Sequence, residues 1–281
     1  MRRSSLLISL LVLVCGLVAG TGGVEPAAAG PPRPTERPLP QAHAHNDYEH
    51  DRPLLDALDH GFTSVEADVW LIDGELRVAH DEEDAQQGVT LESLYLEPLA
   101  QRAWANHGRI YPRYREPIQL LIDIKSDGPQ TYAAIDKALR EYPRLMTSFR
   151  NGRTHERAVT AVISGERPLE IMRAQQLRYA GYDGRLPDLE QGLPAALMPL
   201  VSDNWTNHFS WLGEGEMPAD ERAKLHQIVA TAHDNGYRVR FWATPDTPGP
   251  QRDAVWQELR DAGVDHINTD DLQGLEDFLR R

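Results

Sequence analysis

The stretch Ser64-Val65-Glu66-Ala67-Asp68-Val69-Trp70 decides how this chain is to be read. Apolar and polar residues alternate along it, so it reads as a strand whose two carboxylates, Glu66 and Asp68, share one face. Turned into an interior, such a pair repels and loses hydration unless a cation or hydrogen bonds compensate. The turn Leu71-Ile72-Asp73-Gly74-Glu75 then sends residues 75–80 back beside the strand, to end at His80-Asp81. Upstream, His43-Ala44-His45-Asn46-Asp47 also sits at the end of a short apolar run. Histidines and acids gathered at strand ends point to one divalent cation held between two histidines.

Further runs of strand character lie at 39–43, 119–124, 158–164, 177–182, 197–202, 237–243 and 264–268, which with 64–70 makes eight. Helical candidates separate them, at 52–60, 91–105, 129–142, 167–175, 219–235 and 252–262. Glycines stand where left-handed helix caps belong, as in His60-Gly61, Asn235-Gly236 and Ala262-Gly263. Repeated βα units in this number predict an α/β fold, a single-domain (β/α)8 TIM barrel. The irregular stretch 81–117, with its aromatic and basic patch Arg109-Ile110-Tyr111-Pro112-Arg113-Tyr114-Arg115, reads as an excursion over the barrel mouth or as a packed connection.

The N-terminus has another character. Arg2-Arg3, the apolar residues 6–18 and Ala27-Ala28-Ala29 form the three parts of an export signal over 1–29, too short in its apolar run to span a bilayer. A Pro-rich linker over 30–40 leads to the barrel at 41–281, and the expected location is secreted or extracytoplasmic. The single cysteine, Cys15, falls in the signal, so the mature chain is expected to have no disulfide and no membrane span. A formal charge of −14 argues against a nucleic-acid partner, which requires basic surface.

In a parallel barrel the βα loops collect the active site at the C-terminal ends of the strands. His43 and His45 end the first strand, Glu66 and Asp68 the second, Asp123 and Lys125 the third; then come Ser164 and Glu166, Asp183, Asp203 and Asn204, Trp242, and last Asn268 and Asp270. Three carboxylates, Glu66, Asp68 and Asp123, with no cysteine among them favour Mg²⁺ or Ca²⁺ over zinc. His43 and His80 then flank the cation, as phosphodiester cleavage requires of a base and an acid. Pairing of the acids with Arg or Lys across the barrel is the alternative, and Lys125 alone could not balance three of them.

Val65-Glu66-Ala67-Asp68-Val69 with Val78-Ala79-His80-Asp81, together with Gln41-Ala42-His43 and Asn268-Thr269-Asp270-Asp271, resembles the superfamily of glycerophosphodiester phosphodiesterases and venom-type phospholipases D. Within it the likeness is to the branch of altered-inheritance-of-mitochondria-6-like proteins, over nearly the whole mature chain. The resemblance implies a phosphoric diester hydrolase acting on a glycerophosphodiester or phospholipid headgroup. It implies catalytic roles for His43 and His80, metal ligation by Glu66, Asp68 and Asp123, and phosphate contact by Lys125 of Asp123-Ile124-Lys125. It also implies that Trp242 of Phe241-Trp242-Ala243-Thr244 lines the substrate pocket. The His43-x-x-Asn46 spacing is similar to the venom-type branch and sets Asn46 among the substrate-binding residues, while Ala44 stands where glycerophosphodiesterases usually carry arginine.

Two other functions fit parts of the pattern. His43-Ala44-His45 also opens the binuclear amidohydrolase motif, but that site needs further histidines from the middle strands, where none ends a strand. A barrel that binds phosphodiesters without cleaving them is the other, and only assay separates it.

Overall fold

The computed structural model describes residues 37–281; the expected signal and most of the linker lie outside them. The strands are β1 (Leu39–Ala44), β2 (Phe62–Ile72), β3 (Glu75–Val78), β4 (Ile118–Ile124), β5 (Ser148–Arg150), β6 (Arg153–His155), β7 (Val159–Gly165), β8 (Leu177–Arg178), β9 (Ala180–Gly184), β10 (Leu200–Asn204), β11 (Arg238–Trp242) and β12 (His266–Thr269). The helices are α1 (Leu55–Asp59), α2 (Glu97–Ala105), α3 (Gly128–Arg140), α4 (Leu169–Ala174), α5 (Ala219–Asp234), α6 (Pro250–Ala262) and α7 (Leu272–Arg280).

Eight of the strands pair in parallel in the order β1-β12-β11-β10-β9-β7-β4-β2, and β1 pairs again with β2, so the sheet closes into a barrel. A closed parallel sheet has helices outside and packed side chains inside, and its strands read as nearly continuous apolar runs. Ile118-Gln119-Leu120-Leu121-Ile122-Asp123-Ile124 is such a run, buried except at Asp123. The expected hairpin is present, β3 pairing antiparallel with β2 through Ile72↔Glu75. Gly74 takes a left-handed φ of 83° in its turn.

Register carries the chemistry. Asp68 is level with Asp123, Asp123 with Ser164, and His43 with both Ser64 and Asn268. Side chains from neighbouring strands therefore meet in layers at one end of the barrel.

Four expectations change. The run 177–182 is two strands: Leu177-Arg178 pairs antiparallel with β5 in a small separate sheet, and the barrel strand starts at Ala180. Arg178 makes the switch, packing its guanidinium 5.1 Å from the Phe149 ring and donating to the carbonyls of Ala180 and Ala196. Second, β1 begins at Leu39, as the run 39–43 expected, so the barrel starts two residues before the expected boundary at 41. Third, a helix absent from the reading above, α7, buries Leu272, Leu275 and Phe278, with Asp271 capping it by accepting from Gly274 N–H. Fourth, the 109–115 patch is a packed connection and not an excursion over the mouth. The Tyr111 hydroxyl is buried and donates to the carbonyl of Phe62, the first residue of β2, at the end of the barrel opposite the mouth.

Candidate active site

The mouth is built around Glu66. Its carboxylate is buried, with Oε2 3.1 Å from His43 Nε2 and 2.5 Å from the Arg240 guanidinium. Arg240 comes from β11 across the barrel and is held by two bonds to Asn268 Oδ1, at 2.8 and 2.6 Å. Burial alone would raise the Glu66 carboxyl, but the Arg240 and His43 contacts outweigh it and hold the group below the ordinary carboxylate range. His43 is wholly buried, with Nδ1 2.6 Å from Ser64 Oγ, which in turn accepts from Gln119 Nε2 at 2.9 Å. Burial, with the Arg240 charge beside it, pushes its pKa down to about 3, so the imidazole is neutral in the resting site.

Asp68 forms the second centre. The Lys125 ammonium lies 3.0 Å from its Oδ2, the Tyr48 hydroxyl 2.7 Å and His80 Nδ1 3.3 Å. His80 keeps 56 % of its side chain exposed, where a mobile group could meet it, whereas His43 has none. Asp68 Oδ1 is buried and has no hydrogen-bond partner among the described residues. Asp123 lies 3.6 Å from Lys125 Nζ. Burial and the Glu66 charge push its pKa up to about 7, and the same two causes raise Asp68.

One ligand atom from each of Glu66, Asp68 and Asp123 lies within 4.8 Å of the others. The site fits a hard divalent cation on two observations: all donors are carboxylate oxygens, and the buried Asp68 Oδ1 has an unfilled lone pair beside two further acids. Among the described residues no histidine joins the group, so its donors are oxygen alone, unlike the histidine-rich set of a binuclear zinc site.

The sequence brought together His43, His80, Glu66, Asp68, Asp123 and Lys125, and the structure seats all six at this mouth. Trp242 is there too, half-buried under the Arg185 guanidinium at 4.8 Å. Asn46 is adjacent in a left-handed conformation, φ 45°, with Oδ1 2.9 Å from the Tyr48 hydroxyl, so it buttresses Tyr48. Two members of the opening run have other partners. His45 pairs with Asp270 at 2.8 Å, and Asp47 is buried against Leu54 N–H and the Tyr95 hydroxyl.

Arg240 corrects the charge balance expected from sequence, since with Lys125 it sets two cations against three acids. Alternation in Arg238-Val239-Arg240-Phe241-Trp242 gives Arg240 the same face as Trp242, a signal that was available. Arg185 follows Asp183 by the same step of two. Tyr48 had no such signal, because it lies in the 3-10 turn after β1 and its orientation depends on tertiary packing.

A closed α/β barrel with an acid cluster, a lysine and two histidines at its mouth defines a protein of the phosphodiesterase-barrel class. The AIM6-like phosphodiesterase domain matches residues 37–183, and the glycerophosphoryl diester phosphodiesterase family matches residues 238–273. The chain belongs to the AIM6-like phosphodiesterase family. It is 31% identical to altered inheritance of mitochondria protein 6 of Eremothecium gossypii over 85% of this chain and 69% of that protein. It is 28% identical to the altered inheritance of mitochondria protein 6 homolog of Arthroderma benhamiae over 86% of this chain and 84% of that one. A solved glycerophosphoryl diester phosphodiesterase from Parabacteroides distasonis overlaps 86% of this chain and 85% of its own, with a TM-score of 0.47 and 13% identity.

Proposed function

We propose that this protein is an exported, metal-dependent phosphoric diester hydrolase that acts on a glycerophosphodiester or a phospholipid headgroup. The observation that carries the reading is the convergence of Glu66, Asp68 and Asp123 within 4.8 Å, with a buried Asp68 oxygen that has no partner among the described residues. These three residues would hold Mg²⁺ or Ca²⁺, which when bound supplies positive charge against the phosphoryl oxygens. Lys125 reaches the same space from β4 and adds its own charge. His43 stands against Glu66 and His80 against Asp68, so an acid and a base are available beside the cluster. The exposure of His80 suits it to meet the attacking or leaving oxygen, and the burial of His43 suits it to hold Glu66 in line. Export rests on the Arg2-Arg3, apolar and Ala27-Ala28-Ala29 sequence, and N-terminal sequencing of the protein recovered outside the cytoplasm tests it.

The decisive assay follows glycerophosphocholine, glycerophosphoglycerol and bis(p-nitrophenyl) phosphate by phosphorus NMR, with Mg²⁺, Ca²⁺ or chelator. Turnover should require the cation, and replacing His43 or His80 by Ala should lower the rate by well over about 10²-fold. Absence of turnover on every diester, with the cation bound, would favour the non-catalytic binding barrel instead.

A further inference from the structure

Trp242 is an aromatic side chain at the mouth, with Tyr48 beside Asp68 and His80, and its surroundings decide which headgroups can reach its ring. The Arg185 guanidinium lies over its ring at 4.8 Å, and the Arg240 guanidinium is 6.0 Å from the same ring. Arg185 is fixed in place. Nη1 donates to Asp183 Oδ2 at 2.7 Å and to Ser202 Oγ at 3.3 Å, and Nη2 donates to Ser164 Oγ at 3.3 Å. Asp183 is itself buried and accepts from both serines, so the arrangement is held from three strands. A guanidinium has five N–H donors. Among the described residues Arg185 Nε has no hydrogen-bond partner, and the side chain stays 24% exposed, so donors remain for a ligand.

A quaternary ammonium is recognised by an open aromatic face. Here a guanidinium already covers the ring and a second stands nearby, so a cationic headgroup meets like charge where it would need an open π face. An oxygen-rich alcohol meets hydrogen-bond donors at the same place. Resting on the phosphodiesterase reading above, we propose that the mouth selects diesters whose alcohol is a polyol or carries negative charge and rejects choline-type headgroups, with Arg185 as the specificity-determining residue. Arg185 sets this cation on the opposite side of the barrel from Ala44.

The test compares kcat/KM for glycerophosphoglycerol and glycerophosphocholine in the wild type, Arg185→Gln and Arg185→Lys. Gln retains a donor for Asp183 without the charge, and Lys retains the charge. The wild type should prefer the glycerol diester by about tenfold or more, Lys should keep that preference, and Gln should bring the ratio to within about threefold. Equal use of the choline diester by the wild type, or an unchanged ratio in Arg185→Gln, overturns the proposal. A binding arm separates this from failure of the phosphodiesterase reading, by calorimetry of glycerol 3-phosphate and phosphocholine in the presence of Mg²⁺. If the wild type cleaves neither diester, the hydrolase reading fails. Tighter binding of glycerol 3-phosphate that is lost in Arg185→Gln would then still support the selection, and equal binding would overturn it.

Discussion

Glu66 illustrates how a single buried charge constrains its neighbours. Its ion pair with Arg240 is almost fully desolvated, and removing one partner of such a pair leaves the other uncompensated, typically at about 3–5 kcal/mol. Arg240→Met should therefore destabilise the protein by about that amount, measured by denaturant unfolding, and adding Glu66→Gln should recover part of it. A double variant no more stable than Arg240→Met would show that the lost bonds to Asn268 dominate. Asp47 makes a different prediction. Burial holds its pKa up at about 7, so in the folded protein it stays protonated over a range in which the unfolded chain ionises. The folded state thus binds more protons between about pH 4 and 7, and this group's contribution to stability falls as pH rises through that window. Asp47→Asn, which can still accept from Leu54 N–H and Tyr95, removes that slope. Unfolding midpoints at pH 5 and pH 8 should differ less in the variant than in the wild type, and an identical difference in both would refute the assignment.

At the scale of elements, the mouth depends on strands ending at the same level. Gly165, the last residue of β7, has a left-handed φ of 67°, and a Cβ there would stand 2.2 Å from both Asp123 Oδ1 and Ile124 O. The close approach of β7 to β4 thus defines where Asp123 can sit. Gly165→Ala should cost more than about 1 kcal/mol in stability and should weaken cation binding measured by calorimetry; intact affinity would mean that Asp123 can shift without loss. Elements also mark where sequence was sufficient and where it was not. Strand alternation was enough to find Glu66 and Asp68, and the same rule applied to β11 yields Arg240. The split of 177–182 was not legible, because both halves have strand character and only the packing of Arg178 on Phe149 assigns them to different sheets. Nor was the course of residues 109–115, since Tyr111 is a surface-like aromatic until Leu58 and Phe62 offer it carbonyls.

For the whole molecule, Arg185 is neutralised by Asp183, and the acids Glu66, Asp68 and Asp123 against Lys125 and Arg240 leave the cluster short of positive charge, so a bound divalent ion should stabilise the fold. Chelator-treated protein should gain about 2.7 kcal/mol at a cation concentration one hundred times Kd, read as a rise of several degrees in Tm that scales with concentration; no shift with Mg²⁺ or Ca²⁺ would remove the cation from the reading. The sequence by itself determined the number of βα units, the face shared by Glu66 and Asp68, and the membership of His43, His80, Asp123 and Lys125, because period and strand position are local properties. Tertiary structure decided what those residues touch. Arg240 reaches Glu66 from 174 positions away, Arg185 covers Trp242, and His45 and Asp47 pair with Asp270 and Tyr95. Barrel closure sets these contacts, since it brings β1 beside both β2 and β12 and gives buried charges partners that no local spacing encodes.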